Sequence, residues 1–210
     1  MVLDLHVHTM RYSSCSLIHP VNLPYIASLF GLDGFAITEH EYLWEENEIE
    51  ELKQETNADG LIILRGQEIR TCDEDGVKGD ILVFGYPDTI ECPITSSELI
   101  EQVHSRGAVA IAAHPFRSAY GLGKKVYDLD LDGIEIQSSN HYGLSSRQAV
   151  TAVKSLSLAG IGASDAHNLF HLGHFLTLFE RPVTNEAELV EEIKARRCRP
   201  ISYTELPLSS

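Results

Sequence analysis

Short apolar runs alternate with amphipathic stretches along the chain, and this alternation predicts strands separated by helices. Eight runs have the length and composition of buried strands: VLDLHVH, GFAIT, LIILRGQEI, GDILVFGY, AVAIAAHP, DGIEIQSS, GIGASDAH and RPISY. Helical periodicity is predicted for 21–30, 45–55, 145–159 and 186–197, and for SSELIEQVHSRG, which has a serine cap and a glycine stop. Near-continuous apolar strands between helices are typical of a parallel sheet covered on both faces, so the sequence predicts an α/β protein.

The first predicted strand carries two histidines, His6 and His8, within the segment DLHVHT. Side chains alternate between the faces of a strand, so both imidazoles are expected on one face, about 7 Å apart along the chain. That spacing suits two nitrogens that bind one metal ion. The pattern itself leaves an open, doubly wound sheet and a closed barrel as alternatives.

Nearly every predicted strand brings a carboxylate or an imidazole to one of its ends. In parallel α/β folds, functional groups collect where the strands run out into loops. Burying so many ionisable groups costs several kcal/mol each unless they pair or bind metal. Imidazoles and carboxylates without a thiolate suit Zn, Mn or Fe(II), so a metal site is predicted. The residues at these ends are His6, His8, Glu39, His40, Glu68, Asp80, His114, Glu135, Asp165 and His167.

Length and charge restrict the classes of function. With 210 residues and 43% hydrophobic content, the chain is expected to form a single domain over 1–210. The net charge of −15, from 31 acidic and 16 basic residues, argues against general binding of the nucleic-acid backbone. Short nucleic-acid ends and mononucleotides stay open as partners, because bound cations can reverse the charge of one pocket.

Cysteine usage and the absence of targeting patterns predict a cytoplasmic protein. The four cysteines lie far apart, without a C-x-x-C pair, and are expected to be reduced thiols. No signal-peptide pattern opens the chain, and no apolar run approaches membrane-spanning length. These cysteines are Cys15, Cys72, Cys92 and Cys198.

Four motifs, DLHVHT, ITEH, AHP and SDAH, give the sequence a family resemblance. In order and approximate spacing they resemble those of the polymerase and histidinol phosphatase (PHP) superfamily, from about Asp4 to His167. The resemblance implies a distorted (β/α)7 barrel that holds two or three divalent metals, here Zn, Mn or Fe, and that usually acts as a phosphoesterase.

The resemblance also implies ligand sets for two metals, which share Glu68 as a bridge. Family members often have histidine where this chain has Asp80, and an aspartate can still ligate. Position by position, the implied ligands are His6, His8, Glu68 and Asp165 for the first metal, and Glu68, Asp80 and His114 for the second.

A third metal would use His40 and His167 together with a ligand shortly after DLHVHT. In this chain Ser14 replaces the expected Asp or His, which makes the third site weaker or absent. Glu39 stands where Asp is common, and a supporting role is expected for it.

The resemblance implies hydrolysis of a small phosphomonoester or a nucleotide-type phosphodiester by a metal-activated water. Three carboxylates contribute −3, so two divalent ions would leave the pocket at +1 and three at +3. If the third metal is missing, His167 and His40 are the candidates for protonating the leaving oxygen. Arg117, three residues beyond His114, is the candidate for a bidentate phosphate clamp, with a plain surface arginine as the alternative. Substrate contact from the loop residues Asn140 and His141 and a plain polar loop are left as alternatives.

Two other functions are kept as alternatives. Amidohydrolase-type metal hydrolases also begin with H-x-H on a first strand, but they usually need a longer chain and have different later ligands. A non-catalytic, metal-binding regulatory module is favoured only by Ser14 and Glu39, while the other ligand positions are filled. The substrate and the oligomeric state are left open by the sequence.

Overall fold

The computed structural model describes residues 1–139 and 143–206, so Asn140 and His141 lie outside the described residues. Within these ranges the strands are β1 (Val2–Val7), β2 (Gly34–His40), β3 (Ile62–Cys72), β4 (Lys78–Phe84), β5 (Val109–Ala112), β6 (Gly133–Gln137), β7 (Ala159–Gly162), β8 (Phe175–Phe179) and β9 (Cys198–Ser202). The α-helices are α1 (Leu23–Leu29), α2 (Glu46–Thr56), α3 (Ser96–Ser105), α4 (Leu144–Leu156) and α5 (Glu186–Lys194). None of these helices is long and apolar enough to cross a bilayer.

The strands form one sheet, in the order β7-β6-β5-β4-β3-β2-β1-β8-β9, which curls into a nearly closed barrel. The backbone of Gly162 in β7 exchanges hydrogen bonds with the hydroxyl of Thr177 in β8. Just beyond β7, Ala166 pairs in parallel with Val7 at the end of β1. A side chain at Gly162 would approach the carbonyl oxygen of Leu176 to 2.6 Å, so this closure requires glycine. The α/β class and the distorted barrel are therefore confirmed.

The expectation of a wholly parallel sheet is wrong. Strands β1 to β3 are parallel, as are β5 to β7, but β4 is antiparallel to both of its neighbours. Strand β8 is antiparallel to β1 and to β9. The physical reason at β4 is a tight hairpin after β3, in which the N–H of Asp73 donates to the carbonyl of Val77. Because β4 runs in reverse, its first residues lie at the rim where the parallel strands end.

The sequence pattern missed β8 and misjudged several helix ends. The predicted helix 145–159 ends at Leu156, Ser157 follows with a left-handed φ of 56°, and Ala159 already begins β7. The helix predicted over 186–197 ends at Lys194, and residues 20–22 form a 3-10 turn before α1. The helix predicted over 45–55 agrees with α2 to within one residue at each end.

An apolar cluster fixes the strands whose ends carry the ionisable residues. It draws side chains from β1 to β5, from β7 and β8, and from α5. Each fully buried Leu, Ile or Phe stabilises the fold by about 1.5–3 kcal/mol relative to exposure. Its largest fully buried members include Leu3, Leu5, Leu64, Leu82, Phe84, Ile111 and Ile161.

Candidate metal centre

The ionisable side chains predicted at the strand ends converge at one rim of the barrel. They come from the ends of β1 and β2, the middle of β3, the start of β4, and the segments after β5 and β7. Most of them are buried, while His40 and His167 keep side-chain exposures of 31% and 26%. The structure thus brings together all eight residues that the sequence placed in a metal site: His6, His8, His40, Glu68, Asp80, His114, Asp165 and His167.

Glu68 lies at the middle of this cluster. Its Oε1 atom is 3.4 Å from Nε2 of His6 and 3.0 Å from Nε2 of His114. Its Oε2 atom is 3.3 Å from Nε2 of His8 and 2.9 Å from Nδ1 of His40. Each carboxylate oxygen therefore faces two imidazoles, which is the geometry of a carboxylate that can bridge two cations.

The donor atoms fit divalent metals in number, type and spacing. Four groups of three donors each have all their ligand atoms within 4.8 Å of one another. Three of the groups are fully buried and combine imidazole nitrogen with carboxylate oxygen, the donor set that Zn, Mn and Fe(II) favour. The groups are His6–His8–Glu68, His6–His114–Asp165, Glu68–Asp80–His114 and His8–His40–His167.

The buried carboxylates of the cluster need positive charge beside them. Burial by itself would raise the pKa of Glu68, but the imidazoles around it hold that pKa well below its usual range. Burial would lower the pKa of His6 and of His114, but Glu68 and Asp165 raise both. Carboxylates that stay ionised in a buried site must be balanced by protons on the imidazoles or by bound cations.

His167 behaves differently from the other histidines. Burial, followed by repulsion from His8, lowers the pKa of His167 to about 4. Its Nδ1 atom is 3.1 Å from the backbone carbonyl oxygen of Asp165. A neutral imidazole at pH 7 suits metal ligation better than donation of a proton. The lowered pKa of His167 therefore favours its predicted role as a metal ligand over its predicted role as a proton donor.

Glu135 sets the orientation of His6. Its Oε2 atom lies 3.0 Å from Nδ1 of His6, and both side chains are fully buried. The Nδ1–H of His6 donates to this carboxylate, which leaves Nε2 facing the cluster. There it approaches Nε2 of His8 to 2.9 Å, a distance that requires a shared proton or a cation between the two nitrogens. The predicted convergence of His6 and His8 on one face is confirmed.

Ser13 and Glu39 support His8 in the same way. Nδ1 of His8 is 3.3 Å from the Ser13 hydroxyl, which donates a 2.5 Å hydrogen bond to Glu39 Oε2. Glu39 also accepts hydrogen bonds from the backbone of Thr9 and from Nε1 of Trp44. Glu39 thus touches no predicted ligand directly, and its geometry agrees with the supporting role expected from the sequence.

The two serines that follow DLHVHT differ in burial. Ser14 is exposed, whereas Ser13 is buried against the cluster. Strand alternation does not extend into this loop, so no sequence signal separates the two. Cys15 follows, and burial, together with the charges of Glu68 and Asp165, raises the pKa of its thiol.

Two arginines also reach the cluster. The guanidinium of Arg117 lies 3.6 Å from Asp80 Oδ2 and 3.5 Å from Asp165 Oδ2, as its predicted proximity to the site requires. Arg70 on β3 holds both oxygens of Asp80, at 2.8 and 3.0 Å. The sequence pattern missed Arg70, because only the antiparallel pairing of β3 with β4 places it opposite Asp80.

Glu135→Gln tests whether the orientation of His6 matters for metal binding. The amide keeps the shape of the side chain but removes the charge that holds the Nδ1 proton, so we expect Mn²⁺ affinity to fall about 10- to 100-fold. Isothermal titration of metal-free protein with Mn²⁺ measures this. Glu101→Gln, on the exposed face of α3, is the matched control. An unchanged affinity in Glu135→Gln would show that Glu135 does not orient a ligand.

Two comparisons identify sequences that this chain is similar to. Residues 143–198 match a family model described as PHP-associated. The uncharacterized protein MJ1587 of Methanocaldococcus jannaschii is 31% identical over 152 residues, which cover 67% of this chain and 84% of the relative.

Solved structures share the fold at lower identity. A candidate metal-dependent phosphoesterase from Bifidobacterium adolescentis has a TM-score of 0.66 and 18% identity, over 92% of this chain and 96% of its own. An amidohydrolase from Chromobacterium violaceum, solved with bound sulfate and no metal, has a TM-score of 0.66 and 14% identity, over 97% and 98%. The lesion-specific endonuclease PfuEndoQ from Pyrococcus furiosus has a TM-score of 0.66 and 18% identity, over 93% of this chain but only 56% of its own.

Proposed function

Because the chain belongs to the PHP superfamily of metal-dependent phosphoesterases, we propose that it is a phosphoric ester hydrolase. Its substrate is a small phosphomonoester or a nucleotide-type phosphodiester. The observation that carries this proposal is the position of Glu68, whose two oxygens each face two imidazoles within 3.4 Å. One carboxylate shared between neighbouring donor groups supports a centre of two cations, which suits the displacement of a phosphate ester.

The proposed ligands follow the donor groups at the rim. Divalent ions held there would supply a polarised phosphoryl oxygen and a bound water with a pKa nearer neutrality. The first position is assigned to His6, His8, Glu68 and Asp165, and the second to Glu68, Asp80 and His114. No third position is assigned, because His40 and His167 group only with His8, whose Nε2 atom already serves the first position.

The chain's own residues bind and orient the phosphate. Arg117 is about a quarter exposed and has guanidinium nitrogens 3.5 Å from Asp165 and 3.6 Å from Asp80. Its remaining N–H groups are available to a phosphate oxygen beside the carboxylates. His40, exposed by 31%, is the group we assign to protonating the leaving oxygen, since His167 has a lowered pKa.

Charge supports a small substrate over a long duplex. The whole chain carries −15, so anion binding depends on the cations and arginines at this one rim. The endonuclease that shares the fold has a large part of its chain without a counterpart here. Short nucleotide diesters should nevertheless be among the substrates tested, because each presents a phosphate to the metal centre as a phosphomonoester does.

The test is metal analysis of the purified protein, followed by a phosphate-release screen with Mn²⁺, Zn²⁺ and Fe²⁺. We expect at least one metal to support hydrolysis of a phosphomonoester or a short diester. In Arg117→Gln we expect KM for that substrate to rise about tenfold or more, since a charge-assisted contact contributes about 1.5–3 kcal/mol. Arg106→Gln, at the end of α3, is the control.

Two outcomes would overturn the proposal. Turnover of amides or lactams without any phosphate release would identify an amidohydrolase-type enzyme. Metal-loaded protein that is inactive across both phosphomonoesters and phosphodiesters would identify a metal-binding regulatory module.

A further inference from the structure

Arg70, Asp80 and Tyr120 all contact one another. We call these three residues the Asp80 clasp. Arg70 donates from Nε and Nη2 to the two carboxylate oxygens, at 2.8 and 3.0 Å. The guanidinium carbon of Arg70 lies 3.5 Å from the centre of the Tyr120 ring. The N–H of Asp80 donates to the carbonyl oxygen of Tyr120 at 3.1 Å. Each member therefore contacts the other two.

The Asp80 clasp places Asp80 between the buried cluster of ionisable residues and the partly exposed Arg70. The Asp80 side chain is 1% exposed, whereas that of Arg70 is 33% exposed. On the inner side, Asp80 Oδ2 lies 3.9 Å from Nε2 of His114. A bidentate guanidinium occupies one lone pair on each oxygen and leaves another on each for a second partner. Arg70 thus fixes the plane of the carboxylate without consuming its capacity to ligate.

Tyr120 ties the loop after β5 to this carboxylate. Its φ of 59° is left-handed, a conformation that costs a non-glycine residue about 1–3 kcal/mol and persists only where its surroundings impose it. The neighbouring Gly121 is packed so closely that a side chain would meet the carbonyl oxygens of Pro115 and Arg117 at 2.5 Å. Arg117 in turn donates from Nε to the carbonyl of Ala119 at 2.8 Å. The loop is therefore compact, and it packs against the stacked Arg70 and the backbone of Asp80.

We propose that Arg70 and Tyr120 are positioning residues for the cation position formed by Glu68, Asp80 and His114. Arg70 orients the Asp80 carboxylate, and Tyr120 holds both Arg70 and the loop that carries His114 and Arg117. This inference rests on the proposed function for the existence of that cation position, but it concerns metal affinity and not turnover.

Titration of metal-free variants with Mn²⁺ tests the clasp. In Arg70→Gln we expect one of the two cation positions to lose about 10- to 100-fold in affinity, while the other changes less than about twofold. Arg70→Lys should recover only part of the loss, because an ammonium group is a point charge without the bidentate fork. Tyr120→Phe keeps the ring and should bind like the unchanged protein, whereas Tyr120→Leu should be weakened.

Two further measurements separate positioning from a general effect on folding. Arg65→Gln is the matched control, since Arg65 lies on the same strand but pairs with Glu46 and Glu186. In Arg70→Ala, added guanidinium ion should restore part of the lost Mn²⁺ affinity, a rescue that a purely structural defect would not show. Thermal unfolding of each metal-free variant checks that it is folded.

Arg70→Gln that binds Mn²⁺ at both positions with unchanged affinity would overturn the clasp. This failure differs from failure of the proposed function. If the unchanged protein hydrolyses no phosphate ester, the proposed function fails, yet the titration still decides the role of Arg70. If the unchanged protein is active and Arg70→Gln binds metal normally, only the clasp fails.

Discussion

Glu68→Gln is expected to lower hydrolysis of the best phosphate ester about 10³-fold or more, with loss of the bound metal. The carboxylate faces His6, His8, His40 and His114, so its charge serves more than one cation position at once. The amide retains the shape but provides no charge, and metal stabilisation of a phosphoryl transition state amounts to several kcal/mol. The measurements are kcat/KM and metal content per chain after gel filtration.

The control for Glu68→Gln is the same change at an exposed position. Glu50→Gln, on α2, has a side chain that is 64% exposed and lies away from the cluster. Circular dichroism establishes that both variants are folded. A Glu68→Gln protein that retains two metal ions per chain and near-normal turnover would contradict the bridging position assigned to this residue.

Metal loading is expected to raise the melting temperature by about 8–16 °C for each cation position. A ligand at about 1,000 times its Kd stabilises the native state by about 4 kcal/mol, and each kcal/mol shifts the melting temperature of a chain of this size by about 2–4 °C. The physical reason lies in the 1% exposure of Glu68, Asp80 and Asp165, whose negative charges lie close together out of contact with water, so that a bound cation stabilises the folded state. Differential scanning calorimetry with EDTA, and then with excess Mn²⁺ or Zn²⁺, measures the shift.

The same scan on two variants shows where the stabilisation arises. Asp165→Asn should lose most of the shift, because Asp165 faces His6 and His8 at 3.5 Å. Glu101→Gln should keep all of it. A melting temperature that does not respond to saturating metal, or that rises equally in Asp165→Asn, would mean that the ions bind elsewhere.

Much of the candidate site could be predicted because its ligand positions lie within short motifs. His6 and His8 follow from strand alternation alone, and their Nε2 atoms do meet at 2.9 Å. His114 and Asp165 follow from their place just beyond apolar strands, where the backbone of each takes a positive φ, 29° and 51°. Such left-handed residues at strand ends are common where a site holds a side chain against its preferred backbone. Their assignment as ligands stays a prediction.

The helices and strands were predicted with unequal accuracy. Local periodicity identified α2 to within a residue at each end, because its Glu45–Glu48 capping box and its apolar stripe are local signals. The same reasoning missed β8, whose five residues lie in an antiparallel position beside β1. A short apolar run of that length has no pattern of its own that distinguishes a strand from a loop.

What the sequence by itself determined is the set of chemical groups and the strands that deliver them, since both depend on neighbours a few residues away. Only the tertiary structure decided which groups touch. His6 meets Glu135, 129 residues further on, and Asp4 accepts from the backbone of Ser164, 160 residues further on. Arg70 reaches Asp80 because β4 reverses direction, and Ser13 reaches His8 from the loop that follows β1. The physical reason is that sheet curvature and strand direction result from packing over the whole barrel, which no local pattern of residues encodes.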